Sequence, residues 1–100
     1  MIPEILQKSK NKIAEICRIY EIRELSLFGS QVRGESNSQS DFDFLVNFDP
    51  EAKIGFIKLG KIQTELEKIV RTKVDLVSKD GLKPIIRRQV LAEAKVIYAR

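Results

Sequence analysis

The sequence contains no histidine and a single cysteine, Cys17. A disulfide within the chain is therefore excluded. So are zinc sites of the Cys/His kind and nucleophile pairs of the Ser–His or Cys–His type. Any metal chemistry has to rest on carboxylates, which suits a hard cation such as Mg²⁺. Long hydrophobic runs are also missing, so no segment reads as a membrane span. The opening MIPEILQKSKNK has neither the apolar stretch nor the small-residue cleavage site of a secretory signal. The expectation is a cytoplasmic protein with no membrane association.

One hundred residues are enough for one domain, expected to span 1–100, and not for two. Hydrophobic residues at 43% and charged residues at 32% give the balance of an ordinary globular domain. The net charge of +4 is unevenly placed. Residues 1–78 hold 12 basic and 12 acidic side chains, whereas residues 79–100 set Lys79, Lys83, Arg87, Arg88, Lys95 and Arg100 against Asp80 and Glu93. That surplus fits a solvated helix face, a phosphate-facing surface or a dock for an acidic partner, and the sequence leaves open which of these Lys83, Arg87 and Arg88 serve. Tyr98 is the one aromatic residue in that segment, so there is no run of interleaved aromatic and basic residues and nucleic-acid binding has little support.

The chain shows no repeat, low-complexity segment or linker. Residues 3–20 place Ile5, Leu6, Ile13, Ile16, Cys17 and Tyr20 on one stripe of an amphipathic helix that starts near Pro3. Cys17 on that stripe reads as a buried structural thiol. Leu25–Phe28 is a short apolar strand running into Gly29, and residues 30–34 can form one helical turn closed by Gly34 in a left-handed conformation. A polar loop follows at 35–40. Asp41–Phe48 is the second strand, closed by Asp49-Pro50. Residues 53–70 carry a helical apolar side, Lys73–Ser78 is a third strand, and Asp80-Gly81 turns into a last helix over 82–94 with Pro84 in its first turn. Residues 96–99 form a final strand. Asp49 and Asp80 beside turn residues read as turn formers. The order predicts an α/β (α+β) domain, a small mixed sheet packed with helices, with the third strand beside the second.

The chemistry lies in Gly29-Ser30-Gln31-Val32-Arg33-Gly34 and Ser40-Asp41-Phe42-Asp43. Side chains alternate along a strand, so Asp41 and Asp43 share one face while Phe42 and Phe44 take the other. Two carboxylates roughly 7 Å apart on one strand face repel unless something lies between them. Asp75, flanked by Val74 and Leu76, can join them from a neighbouring strand, giving three carboxylates suited to one or two Mg²⁺ ions. Plainer readings stand beside this. Asp41 also suits a loop end next to Ser40, and Asp75 an ion pair with Lys73 or with a basic residue of the last helix. A strand that ends in Gly-Ser and enters a helical turn is a ready anion site, because glycine lets a phosphate approach the backbone. Ser30 suits a phosphate contact or a simple N-cap. Arg33 suits a phosphate contact or a carboxylate brace for the loop.

Gly29-Ser30, ten residues, Asp41-Phe42-Asp43 and the later Val74-Asp75-Leu76-Val77 together resemble the nucleotidyltransferase superfamily that includes DNA polymerase β and kanamycin nucleotidyltransferase. Over nearly its whole length the chain is similar to the minimal nucleotidyltransferases of prokaryotes. The resemblance implies that Asp41 and Asp43 bind Mg²⁺, that Asp75 completes the metal site and acts as general base, and that Gly29 and Ser30 hold the β- and γ-phosphates of ATP; Arg33 is counted beside them as a nucleotide-binding candidate. It also implies a partner, since such proteins are typically antitoxins paired with a HEPN-domain ribonuclease toxin, and the expected reaction is adenylylation of a tyrosine on that toxin. The chain's shortness leads to the same expectation, as it leaves little room for an acceptor-binding domain. Two competing readings are a non-catalytic binding module and a small-molecule nucleotidyltransferase. The second would work as a homodimer, and the apolar faces of the first and last helices suit either the core or such a homo-oligomer interface.

Overall fold

The computed structural model describes residues 2–35 and 41–100. Most of the expected polar loop, Ser40 included, lies outside the described residues. The expected first helix is divided into α1 (Glu4–Lys8) and α2 (Lys10–Ile19), which meet at Ser9 with φ −100° and ψ 17°. The hydrogen-bond ladder runs on through the joint, from Ser9 N–H to Ile5 and from Ile13 N–H to Ser9. The stripe therefore stays continuous, with Leu6, Ile13, Ile16 and Cys17 all buried.

Strand β1 (Ile22–Phe28) is longer than the expected Leu25–Phe28. Its first half hides in the sequence because Arg23 and Glu24 break the apolar run, and the pairing shifts register between Ile22 and Glu24. A charged pair at a bulged strand end still belongs to the strand, because Ile22 is fully buried. A single turn, α3 (Ser30–Arg33), ends at Gly34 in the expected left-handed conformation, φ 76°. β2 covers Phe42–Phe48 and α4 Phe56–Val70. The helix starts later than residue 53 because the extended backbone at Gly55 delays it. β3 (Val74–Ser78) leads into a short 3₁₀ turn at Lys79–Gly81, then α5 (Pro84–Glu93) and β4 (Lys95–Ala99).

The four strands lie in the order β3-β2-β1-β4. β1 is antiparallel to both of its neighbours, and β2 runs parallel to β3, as a connection through a helix allows. The sheet is mixed and the third strand lies beside the second, as the sequence predicts. Alternation divides its faces. Leu25, Leu27, Phe42, Phe44, Val46 and Val74 pack against α1, α2 and α4 in the main core, where the rings of Phe42 and Phe44 stack with centroids 6.1 Å apart. On the opposite face Leu45 meets Leu82 and Val90, with Phe28 and Val77 alongside, in a much smaller cluster. One side of the sheet is thus thickly covered, and the other keeps room for polar side chains. Among the described residues no helix is long and apolar enough to cross a membrane.

Phe44 is fully buried on the central strand. Phe44→Ala is expected to cost about 3–5 kcal/mol, read as a lower urea midpoint at unchanged slope.

Candidate active site

The alternation that sends Phe42 and Phe44 into the main core sends Asp43 to the sparsely covered face. The parallel register places Asp75 of β3 directly beside Asp43 of β2. Neighbouring strands lie only about 4.8 Å apart, so the two carboxyl groups lie within hydrogen-bonding reach of each other once one of them is protonated. Asp75 is exposed and Asp43 is half-buried. Asp41 stands just ahead of β2, where the Phe42 N–H donates to the Lys73 carbonyl at 3.0 Å and ties the starts of β2 and β3 together. Burial pushes the Asp43 carboxyl up from its usual range. The negative charges of Asp75 and Asp41 raise it further, as does the hydrogen bond that a protonated carboxyl can make with Asp75, and the positive charge of Arg33 opposes them.

This is a site of unrelieved negative charge. Among the described residues no three Asp, Glu, Cys or His side chains already close into a cage for a cation. The Asp43–Asp75 pair is in place, and Asp41 lies within range of its field. The donor set is oxygen only, and the repulsion that raises Asp43 is what a divalent cation would relieve. These residues therefore fit Mg²⁺.

Gly29 shapes the other side of the site. It is buried at the end of β1, with φ 81° and ψ −156°, a conformation open to glycine and strained for other residues. A Cβ built there would overlap Asp43 Oδ2. The glycine thus lets the backbone lie directly against the carboxylate, next to the Phe28–Asp43 register pair. Ser30 opens α3 beside it, and the Val32 and Arg33 N–H groups donate to the Gly29 carbonyl at 3.1 and 3.2 Å. The fold brings together Gly29, Ser30, Asp43 and Asp75, with Asp41 at the margin.

Arg33 takes the bracing arrangement. Its Nε donates to Glu35 at 2.8 Å and its Nη1 to both oxygens of Glu93 at 2.9 and 3.1 Å. Glu93 is the residue that sequence reasoning missed, because it lies 60 positions from its partner in a helix of no special pattern. Arg87 donates to the Lys79 carbonyl at 3.1 Å and so fixes the 3₁₀ turn, while Lys83 and Arg88 are exposed. Asp75 pairs with Asp43 and not with Lys73. The Asp49 carbonyl accepts from Ala52 in the expected turn, and its carboxylate pairs with Arg100. Cys17 is buried as expected, and burial pushes its thiol up to about 12, which makes it unreactive at neutral pH.

Residues 11–100 match the family model described as polymerase beta, nucleotidyltransferase. The chain is similar to the protein adenylyltransferase MntA of Thermococcus cleftensis, with 37% identity over 97 residues, covering 97% of this chain and 91% of that protein. It is also similar to the solved structure of a candidate minimal nucleotidyltransferase, at 33% identity and a TM-score of 0.77 over 95% of each chain. At 22% identity it shares the fold of a chain in the complex of tri-AMPylated Shewanella oneidensis HEPN toxin with MNT antitoxin, with a TM-score of 0.68 over 95% of this chain and 73% of that one.

Two outcomes follow from the crowding at Asp43. A carboxyl raised in the folded state favours folding only while it is protonated, and at neutral pH its charge is a cost. Asp43→Asn is therefore expected to stabilise the metal-free protein at pH 7.5 by roughly 1 kcal/mol, a rise in Tm of about 5 °C. The gain should vanish as the pH falls through the carboxylate range, and Mg²⁺ should raise the Tm of the wild type but not of the variant. Gly29→Ala is expected to lose about 2 kcal/mol or more in chemical denaturation, because the new methyl group must displace the Asp43 carboxylate.

Proposed function

Since the chain belongs to the polymerase beta nucleotidyltransferase family, we propose that it transfers AMP from ATP to a tyrosine hydroxyl of a partner HEPN toxin and so acts as an antitoxin. Asp41, Asp43 and Asp75 would hold Mg²⁺. The observation that carries this reading is the in-register Asp43–Asp75 pair with Gly29 pressed against it. The names of the relatives support the choice of AMP and of a toxin as acceptor: one is a protein adenylyltransferase, and another chain of this fold sits with a tri-AMPylated HEPN toxin.

Each residue has a definable task. Gly29 offers the phosphates an approach unobstructed by a side chain, and Ser30 donates its hydroxyl to a phosphate oxygen. Mg²⁺, when bound, neutralises charge on the triphosphate and on the departing pyrophosphate. Asp75 is the more exposed member of the pair, which supports giving it the role of general base toward the acceptor hydroxyl. It accepts the proton as the tyrosine oxygen bonds to the α-phosphorus. The bond from that phosphorus to the bridging oxygen breaks, and pyrophosphate leaves with the bonding pair. Asp41 and Asp43 would hold the cation from the β2 side of the site. The acceptor hydroxyl comes from the partner, so the order and distance of approach are set by the interface between the two proteins.

Label transfer from α-³²P-ATP to the co-expressed toxin tests the proposal. A labelled toxin band is expected with Mg²⁺ and wild-type chain, with loss of at least about a hundredfold in rate for Asp41→Asn or Asp43→Asn. Chelation with EDTA should abolish it. Mass spectrometry of the toxin should place the adduct on tyrosine. The proposal is sunk if the double Asn variant still neutralises the toxin while no adenylate mass appears on it.

A further inference from the structure

The single turn α3 carries Ser30 at its start and Arg33 at its end. Four residues of helix cannot hold themselves in place, since one hydrogen-bonded turn does not repay the entropy of forming it. One side of it is held by Val32 at the edge of the main core and by buried Gln31. The Arg33 guanidinium reaches across 60 residues of sequence and grips both oxygens of Glu93 at the end of α5. Both contacts come from the single Nη1 nitrogen, a charge-assisted bond shared between the two carboxylate oxygens.

Glu93 is well placed to anchor that grip. Its side chain is 17% exposed against 42% for Arg33, so the carboxylate is the better-buried half of the pair. It is the last residue of α5, where the helix dipole disfavours a negative charge, and the last turn has no basic residue of its own to offset it. Arg33 supplies the missing cation. The carboxylate is fixed on both flanks. Val90, one turn earlier, is buried in the smaller core with Leu45 and Leu82, and Lys95, two residues later, opens β4 and pairs with Leu27 of β1. Leu27 lies two residues before Gly29. The end of α5, the start of β4, the end of β1 and α3 therefore meet in one place, and the Arg33–Glu93 pair joins the two of these that no strand pairing links.

We propose that Glu93 is a positioning residue for nucleotide transfer: acting through Arg33, it sets the Gly29–Ser30 turn beside Asp43 before the triphosphate arrives. This rests on the function proposed above. The pair is partly exposed to solvent, and such pairs contribute little to global stability. Its consequence is therefore local order at the phosphate-facing turn, paid once on folding instead of on each binding event.

Calorimetric titration of the full chain with a non-hydrolysable ATP analogue in Mg²⁺ tests this, using wild type, Glu93→Gln, Arg33→Gln and the double variant. Glu93→Gln is expected to bind roughly tenfold more weakly with its Tm within about 2 °C of wild type. In label transfer it should raise KM for ATP while kcat changes less than about twofold. In the Arg33→Gln background the Glu93→Gln change should add no further loss, because its route of action is already cut. Equal affinity of Glu93→Gln and wild type would overturn the inference, as would a loss of the same size in the Arg33→Gln background. Tighter binding by Glu93→Gln would also overturn it, showing that Glu93 competes with the triphosphate for Arg33. If the wild-type chain binds no nucleotide, the proposed function falls and the inference with it. If wild type binds and Glu93→Gln binds as well, the inference alone falls.

Discussion

The structure is organised around a repulsion. Asp43 and Asp75 occupy facing register positions on adjacent parallel strands, with Asp41 close enough to add its field. Folding gains nothing from putting like charges together, so the rest of the molecule has to hold them there. That work falls to the other face of the same strands. Phe42, Phe44 and Val74 alternate with the aspartates and are buried in the main core under α2 and α4. For each carboxylate pushed outward, an apolar neighbour one residue away is drawn inward. The thickly packed face thereby pins the geometry of the charged one, and the two-residue period of a strand is the device that couples them.

The same coupling explains where the glycine has to be. β1 and β2 are antiparallel, so the end of β1 arrives next to the start of β2, and Phe28 pairs with Asp43. The chain must then leave the sheet at once, without placing a side chain on the carboxylate it has just reached. Gly29 meets both needs with a positive φ and no Cβ. Backbone approach and carboxylate position are thus one constraint, since a change at either residue displaces the other.

Much of this was legible in the sequence. The alternation of Asp41-Phe42-Asp43-Phe44 assigned opposite faces to acids and aromatics, and the side-by-side placement of the second and third strands brought Asp75 in. The first of these depends on short-range periodicity, which a sequence displays directly; the second was an expectation from element order that the pairing of the fold bears out. The bulged start of β1 was hidden because Arg23 and Glu24 interrupt its apolar run, and only the burial of Ile22 reveals the strand. The division of the first helix at Ser9 left no trace either, since the apolar stripe crosses it unbroken. Arg33 could be narrowed to two roles but not resolved, because its partner Glu93 is brought near by the tertiary fold alone. An isolated glutamate at a helix end carries no periodic signal.

The basic surplus of residues 79–100 shows how charge counting misleads when geometry is missing. Read as a total, these side chains suggest one cationic surface. In the fold they do separate things: Arg87 holds the 3₁₀ turn through the Lys79 carbonyl, Arg100 pairs with Asp49 at the far end of the sheet, and Lys83 and Arg88 face solvent. The charge that bears on the active site comes instead from Arg33, which belongs to the electrically neutral part of the chain, and it is spent mainly on Glu35 and Glu93. The carboxylates consequently keep most of their uncompensated field. For the proposed Mg²⁺ site, an arginine engaged elsewhere serves better than one seated among the carboxylates, since a resident guanidinium would lower the repulsion that a divalent cation would relieve. On the function proposed above, bracing the turn with Arg33 at a distance keeps that field available for a cation while giving the loop that would face the phosphates a fixed shape.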